Sequence, residues 1–294
     1  MRRTPTEELR PDELAGKVAL VTGAGVRVGR AIAEELARAG ARVAIHYARS
    51  AHGARAAAAA IEAEASSARS SATSLARASS AVKARGRFKG NAAVTPGPPP
   101  GSRTRLFAAD LRADQACESL IAEVAAWGRR LDILVCSAAA FERRPFEDID
   151  RAAFRDMVAL NLEAPLRLAQ AAAPFLRARR GLIVNILDVA AFHAWSGYAH
   201  YAASKAGLAM LTRVLALELA PRVRVCAVAP GTVEFPVDYP RSARREVVAR
   251  IPLGRVGRAA DVARAVRYLA SADYVTGSVL AVDGGRLAGT RGIL

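Results

Sequence analysis

Tyr201 and Lys205 stand four residues apart in Tyr201-Ala-Ala-Ser-Lys205. On a helix that spacing puts both on one face, with their polar ends near a single spot. A phenol beside an ammonium can be tuned, because the positive charge favours phenolate and lowers a pKa from its usual ~10. Such a tyrosine can act as a general acid toward a carbonyl or an imine. Asp188, just beyond the apolar run Ile183–Leu187, can reach the same spot. A lone pair of this kind is usually a solvated feature of a surface helix. Composition argues otherwise, since only Lys17, Lys83, Lys89 and Lys205 among the 43 basic residues are lysines. A lysine in a chain that defaults to arginine points to a need for a compact ammonium.

The elements that must carry these residues alternate along the chain. Lys17–Val21 reads as a short buried strand, Thr22–Gly29 as a turn, and Arg30–Ala39 as a helix with Ile32 and Leu36 on one side. Arg42–Tyr47 reads as a second strand, which completes a βαβ unit and implies a parallel sheet. Further strands are expected at Arg105–Leu111, Leu131–Cys136, 183–187, Arg222–Val228 and Val279–Val282. Helices are expected at Ala54–Ala65, Gln115–Trp127, Phe154–Leu176 (one long helix or two abutting ones), around Tyr201, and at Asp261–Ala270. The fold class is therefore α/β: one doubly wound parallel sheet with helices on both faces, spanning residues 16–287. Residues 1–15 read as a loose polar arm, 288–294 as a tail, and 232–250 as a candidate lid. Residues 66–103 are Ser/Ala-rich, basic and Pro-terminated, and are predicted to be a disordered insert.

Charge and composition narrow the function classes. The net charge of +16 invites a nucleic-acid reading, but residues 66–105 supply +8 of it with eight basic side chains and no acid. The remainder is spread thinly and carries no nucleic-acid-binding motif, so polyanion binding by the insert is at most an accessory. No apolar stretch reaches the ~18 residues that span a bilayer. The basic start has no apolar core behind it, unlike a secretory signal. Cys117, Cys136 and Cys226 are scattered and odd in number, which predicts neither disulfides nor a metal site and places the protein in the cytoplasm.

In a doubly wound sheet, ligands bind beyond the carboxyl ends of the strands. Thr22–Gly29 follows the first strand and opens the first helix, so its amides can cradle a pyrophosphate. An NAD enzyme usually places an acid after the second strand; here the chain reads His46-Tyr-Ala-Arg-Ser50. Arg49 and Ser50 can instead hold a 2′-phosphate, which points to NADPH.

With these motifs assembled, the chain resembles the short-chain dehydrogenase/reductases, a Rossmann-like family, over residues 14–287 apart from the insert. The matching motifs are Thr22–Gly29, Asp110-Leu111, Leu131-Asp-Ile-Leu-Val135, Asn161, Tyr201-x-x-x-Lys205, Pro230-Gly231 and Val282-Asp-Gly-Gly285. The resemblance implies that Tyr201 is the catalytic acid and that Lys205 lowers its pKa and holds the nicotinamide ribose. It implies that Asn161 supports a proton-relay water and that Asp110 contacts the adenine. Cofactor contacts are further implied for Thr22, Gly23, Arg27, Val28, Gly29, Tyr47, Arg49, Ser50, Leu111, Ala138, Pro230 and Gly231. A homotetramer is implied too, with the segment around Arg286 near a neighbouring subunit's site.

The departures from the family pattern are informative. Asp188 replaces the usual serine thirteen residues before the tyrosine, and Arg27 replaces the middle glycine of the turn. Cys136-Ser-Ala-Ala139 replaces the usual Asn-Asn-Ala-Gly and is followed by Ala140 and Phe141. Asp188, Arg27, His46-x-x-Arg49-Ser50 and Phe141 together resemble the pteridine reductase branch, which includes dihydromonapterin reductases. The resemblance implies hydride transfer from NADPH to a C=N bond of a pterin, with Phe141 stacking on the ring and Arg27, Asp188 and Tyr201 at the substrate. The alternative within the family is a carbonyl reductase, such as a 3-oxoacyl carrier-protein reductase, that tolerates Asp188. An alternative from another class is a cofactor-binding regulator or nucleic-acid-associated protein that uses the basic insert.

Overall fold

The computed structural model of the protein describes residues 12–79, 102–235 and 240–289. Seven strands form one all-parallel sheet in the order β3-β2-β1-β4-β5-β6-β7. They are β1 Val18–Val21, β2 Arg42–Tyr47, β3 Thr104–Ala108, β4 Ile133–Cys136, β5 Leu182–Ile186, β6 Arg224–Pro230 and β7 Val279–Val282. β1, β4 and β5 are buried at every residue, which is why β1 and β4 read in the sequence as unbroken apolar runs and β5 as one broken only by Asn185. On one face α1 (Arg27–Arg38), α2 (Ala51–Ser79) and α8 (Ala259–Ser271) bury Ile32, Leu36, Ile61, Val262 and Leu269 against Val21, Ile45 and Val184. On the other face α3 (Ala116–Gly128), α5 (Ala164–Arg177) and α6 (Ala199–Glu218) bury Ile121, Val124, Leu168, Leu176 and Leu215 against Leu20, Leu134 and Ile183. The strand order reverses direction between β1 and β4, and the crevice of such a sheet opens there.

Several sequence expectations need correction. The polar arm does not extend to residue 15: Leu14 is fully buried, its amide donates to the Ala39 carbonyl at 2.7 Å, and Glu13 pairs with Arg267 at 2.7 Å. Burying one leucine side chain is worth about 2 kcal/mol, enough to tie down a short polar segment. Residues 1–11, and the tail from 290 onward, lie outside the described residues. The insert begins later than its composition suggests. α2 continues through residues 66–79, and the chain rejoins the sheet at Ser102. Ser102 and Thr104 both donate to Glu62 of α2, at 2.6 and 2.8 Å, fixing the return into β3. Residues 80–101, the rest of the expected insert, lie outside the described residues.

The 154–176 region resolves the choice between one helix and two. α4 (Arg151–Val158) passes into α5 through a widened π-helical turn at Ala159–Glu163, which carries Asn161. Such turns sit disproportionately at functional sites. The candidate lid contains α7 (Arg241–Ala249), while residues 236–239 lie outside the described residues.

The glycine turn packs tightly. Gly23 has φ +65° and lies against the Ala138 backbone, and a Cβ at Gly29 would run into the Gly23 carbonyl. Gly29→Ala is expected to destabilise the protein by about 1–3 kcal/mol through overpacking, read from the midpoint of urea unfolding. An unchanged midpoint would mean that the turn yields easily.

Candidate active site

A cleft of about 1690 Å³ opens across the carboxyl ends of the strands. Its floor holds the tyrosine. Tyr201 Oη donates to Asp188 Oδ2 at 3.0 Å, and Asp188 Oδ1 accepts from the Ala190 amide at 2.8 Å. Asp188 thus caps the turn Val189–Ala191 and faces the phenol at once. The nearby Arg144 pairs with Glu142. Lys205 is buried beneath, where Nζ donates to the Ile186 carbonyl at 2.9 Å and lies 5.9 Å from the Tyr201 ring centroid.

The electrostatics differ from the sequence expectation. Burial, with the neighbouring Asp188 carboxylate adding to it, pushes Tyr201 well above the ordinary phenol value. Burial also lowers Lys205 to about 8, against the opposing pull of Asp188. Asp188 itself is raised by burial, a shift tempered by the bonds from Ala190 and Tyr201. Burial, reinforced by a carboxylate in place of a neutral hydroxyl, raises Tyr201, so the expected lowering by Lys205 does not appear. In this ground state Tyr201 is a firmly protonated donor.

Asn161 is fully buried, and its side chain is spent on other residues. Oδ1 accepts from the Ala140 amide at 2.9 Å, while Nδ2 donates to the Ala140 carbonyl at 3.0 Å and to Ser204 Oγ at 3.1 Å. Its amide therefore clamps the loop that leads to Phe141 rather than reaching toward Tyr201. Phe141, 55% exposed, lines the cleft, stacks on Tyr198 at 5.1 Å and meets the Tyr201 ring edge-on at 4.9 Å. Trp195 extends this aromatic wall, 5.7 Å from Tyr198.

The other half of the cleft fits a dinucleotide. α1 starts with no side-chain cap and no acid in its first turn, which leaves its leading amides as donors for an anion. A Cβ at Gly25 would collide with Ser50 Oγ, so the turn and the end of β2 need the glycine to approach so closely. Arg49 lines the cleft, exposed, and has no hydrogen-bond or ion-pair partner among the described residues. Gly23, Val28, Gly29, Ser50, Asp110, Leu111, Ala138, Pro230 and Gly231 line it as well.

Three of the expected cofactor residues are engaged within the chain. The Thr22 hydroxyl is buried and accepts from the Ser137 and Ala138 amides at 2.9 and 3.0 Å, bracing β1 to the loop after β4. Tyr47 packs on the core, as alternation along β2 directs. Arg27 lies on the cleft but its Nε donates to Glu234 Oε2 at 3.3 Å and its Nη2 to the Glu234 carbonyl at 3.2 Å. It holds φ +50°, a left-handed conformation that costs a non-glycine residue about 1–2 kcal/mol.

Sequence reading left two contributors without a role. His46 is buried behind the turn, where Nδ1 accepts from the Gly23 amide at 3.2 Å and Nε2 faces the Ala109 carbonyl at 3.0 Å. Those partners select the neutral form with its proton on Nε2, and burial lowers its pKa accordingly. Tyr198 has a signal in hindsight: it lies three residues before Tyr201 and so near its face, but nothing in the chain announces its stacking on Phe141. Arg286 lines this chain's own cleft, where its guanidinium donates to Thr232 Oγ1 at 2.8 Å and sits 5.4 Å from the Trp195 ring.

A parallel seven-stranded sheet, an uncapped glycine turn opening α1 and a buried Tyr–Lys pair define a nicotinamide-dependent oxidoreductase class. Residues 17–92 match the short chain dehydrogenase family, and residues 91–286 match the related family described as enoyl-(acyl carrier protein) reductase. The chain belongs to the short-chain dehydrogenase family. It is 33% identical to 3beta-hydroxysteroid dehydrogenase 1 of Eggerthella lenta, covering 93% of this chain and 95% of that one. It is 32% identical to the 3-oxoacyl-[acyl-carrier-protein] reductase of Escherichia coli, covering 92% and 97%. A solved blue fluorescent protein from a metagenomic library, in complex with NADPH, superposes with a TM-score of 0.75 at 33% identity, covering 93% of this chain and 98% of that one. None of these three relatives is a pteridine reductase by name.

Proposed function

We propose that the protein is an NADPH-dependent, pteridine reductase-like enzyme that reduces a C=N bond of a pterin or dihydropterin. The observation that carries this reading is the direct Tyr201–Asp188 hydrogen bond on the cleft floor. A carboxylate beside the reacting atom repels the oxyanion that develops when a ketone is reduced. A pterin offers ring N–H and amino donors to that carboxylate and a ring nitrogen that must gain a proton. NADPH, when bound, supplies the hydride. Its phosphates would be held by the amides of α1 and its 2′-phosphate by Arg49 and Ser50, with Asp110 at the adenine and Lys205 at the nicotinamide ribose. Asp188 accepts hydrogen bonds from the substrate ring and fixes its orientation, while Tyr201 Oη holds the proton to be delivered. Phe141, one face against Tyr198, offers its ring for stacking, a geometry worth about 1 kcal/mol beyond area burial. Arg27 takes part at the cofactor phosphate and the ring's polar edge once it leaves Glu234. A cytoplasmic homotetramer with no membrane or nucleic-acid partner completes this reading.

The second reading is a carbonyl reductase, favoured by the 3-oxoacyl-[acyl-carrier-protein] reductase among the relatives. NADPH oxidation on adding biopterin, dihydrobiopterin or dihydromonapterin separates the two. Turnover of a 3-oxoacyl thioester with none of the pterins would decide for the second. For the cofactor, Arg49→Ala is expected to raise the KM for NADPH about tenfold while moving that for NADH little, since one charge-assisted fork is lost. Equal effects on both cofactors would remove Arg49 from the 2′-phosphate.

A further inference from the structure

We propose that the rim of the cleft formed by Arg143, Arg250 and Arg286 is a subsite for an anionic tail, a carboxylate or a phosphate, on the substrate. The reacting end rests on the reductase reading above; the tail subsite does not depend on which double bond is reduced.

The placement separates these arginines from those serving the cofactor. Arg27 and Arg49 follow β1 and β2, whereas Arg143, Arg250 and Arg286 follow β4, β6 and β7 in the strand order. Asp188 and Tyr201, which follow β5, lie within the span of the rim group, between Arg143 and Arg250 in the strand order. All three rim arginines line the same cleft as Tyr201. Local contacts tie them to one another's neighbourhood. The Arg143 side chain packs beside Gly197, and Arg286 sits over Trp195, so the two flank the loop before Tyr201. Arg250 precedes Ile251 and Pro252, which pack against Gly284 and Gly285, directly before Arg286.

The charge balance there is incomplete. The Arg143 and Arg250 side chains are exposed and have no ion-pair or hydrogen-bond partner among the described residues. Arg286 is half-buried, and its partners, a threonine hydroxyl and an indole ring, are both neutral. Of the acids lining the cleft on this side, Asp188 is bonded to Tyr201 and Ala190, and Glu234 is held by Arg27. Those partners of Asp188 are neutral, so its carboxylate, which Arg286 acts on, and exposed Glu246 face three guanidiniums. Exposed arginines are common in a chain of this charge. A half-buried one held between neutral groups at the mouth of the active cleft is placed for an incoming anion. Because Trp195 and Thr232 fix it, little side-chain freedom remains to be lost on binding.

The test uses matched pairs that differ in the tail. Pterin-6-carboxylate and 6-hydroxymethylpterin are titrated into enzyme saturated with NADP+ and followed by pterin fluorescence, which needs no turnover. 3-Oxobutanoyl phosphopantetheine and 3-oxobutanoyl pantetheine are compared by NADPH oxidation, so that the first pair reports carboxylate and the second phosphate. The anionic member is expected to show a Kd or KM about tenfold lower than its neutral partner, the worth of one charge-assisted contact. Arg250→Met and Arg286→Met should each bring that ratio toward one, and Arg286→Lys should keep most of it. A ratio near one in wild-type protein, a ratio unmoved by both methionine variants, or no uptake of either anionic member overturns the subsite. If both pterins fail to bind while the thioester pair keeps its arginine-dependent ratio, the pterin reading falls and the tail subsite stands.

Discussion

Tyr201→Phe is expected to lower kcat by about 10²–10⁴, the range for losing a positioned proton donor. The variant keeps the ring that packs against Phe141 and Tyr198, so the loss isolates one oxygen. What remains is informative about Asp188. The bond from Tyr201 holds the Asp188 carboxyl down against the upward push of burial, and the variant removes that restraint while the Ala190 amide still binds. Asp188 then protonates at higher pH than before. If it delivers protons as well as orienting the ring, the residual activity of the variant climbs as the pH falls. A flat residual profile would confine Asp188 to orientation. In wild-type enzyme Tyr201 stays protonated throughout, and the group that titrates in range is Lys205, charged below a pH of about 8 and neutral above it. Turnover should therefore decline on the alkaline side of that value, and a kcat/KM profile still rising there would detach catalysis from the Lys205 charge.

That profile bears on how far the sequence can be read. The Tyr201–Asp188 contact was legible because helical spacing and strand position are local rules. Ile183–Leu187 reads as a buried strand, so the residue after it must emerge at the carboxyl edge, and Asp188 does. The sign of the Tyr201 shift was not legible. It depends on whether the lysine or the carboxylate prevails at the phenol, and on the desolvation of all three, none of which spacing encodes. Arg27 shows a second limit. Its departure from glycine is visible in the chain, but the pairing with Glu234, 207 residues away, needs the tertiary fold to bring the lid to the turn. Leu14 shows a third, because one apolar residue within a charged arm gives no periodicity. Residues 66–79 show a fourth, because their low hydrophobicity argued for disorder while α2 runs on to Ser79.

Asp188→Ser should exchange one chemistry for another rather than abolish both. A serine hydroxyl can accept from the Ala190 amide as Asp188 does, so the cap on Val189–Ala191 survives and the fold should hold. Removing the carboxylate deletes both the charge and the hydrogen bond that raise Tyr201, leaving burial as the main upward influence. The phenol becomes a stronger acid beside a neutral donor, the arrangement that favours an oxyanion in the transition state. Turnover of a 3-oxoacyl thioester is thus expected to rise at least about tenfold, and pterin turnover to fall about 10²-fold with its orienting carboxylate gone. The two directions must be opposite for Asp188 to set the substrate. A parallel fall in both would make the carboxylate a general support of Tyr201, common to any substrate. If neither moves, Asp188 acts only as a cap, and the preference for a C=N bond must be sought in the aromatic wall of Phe141 and Tyr198.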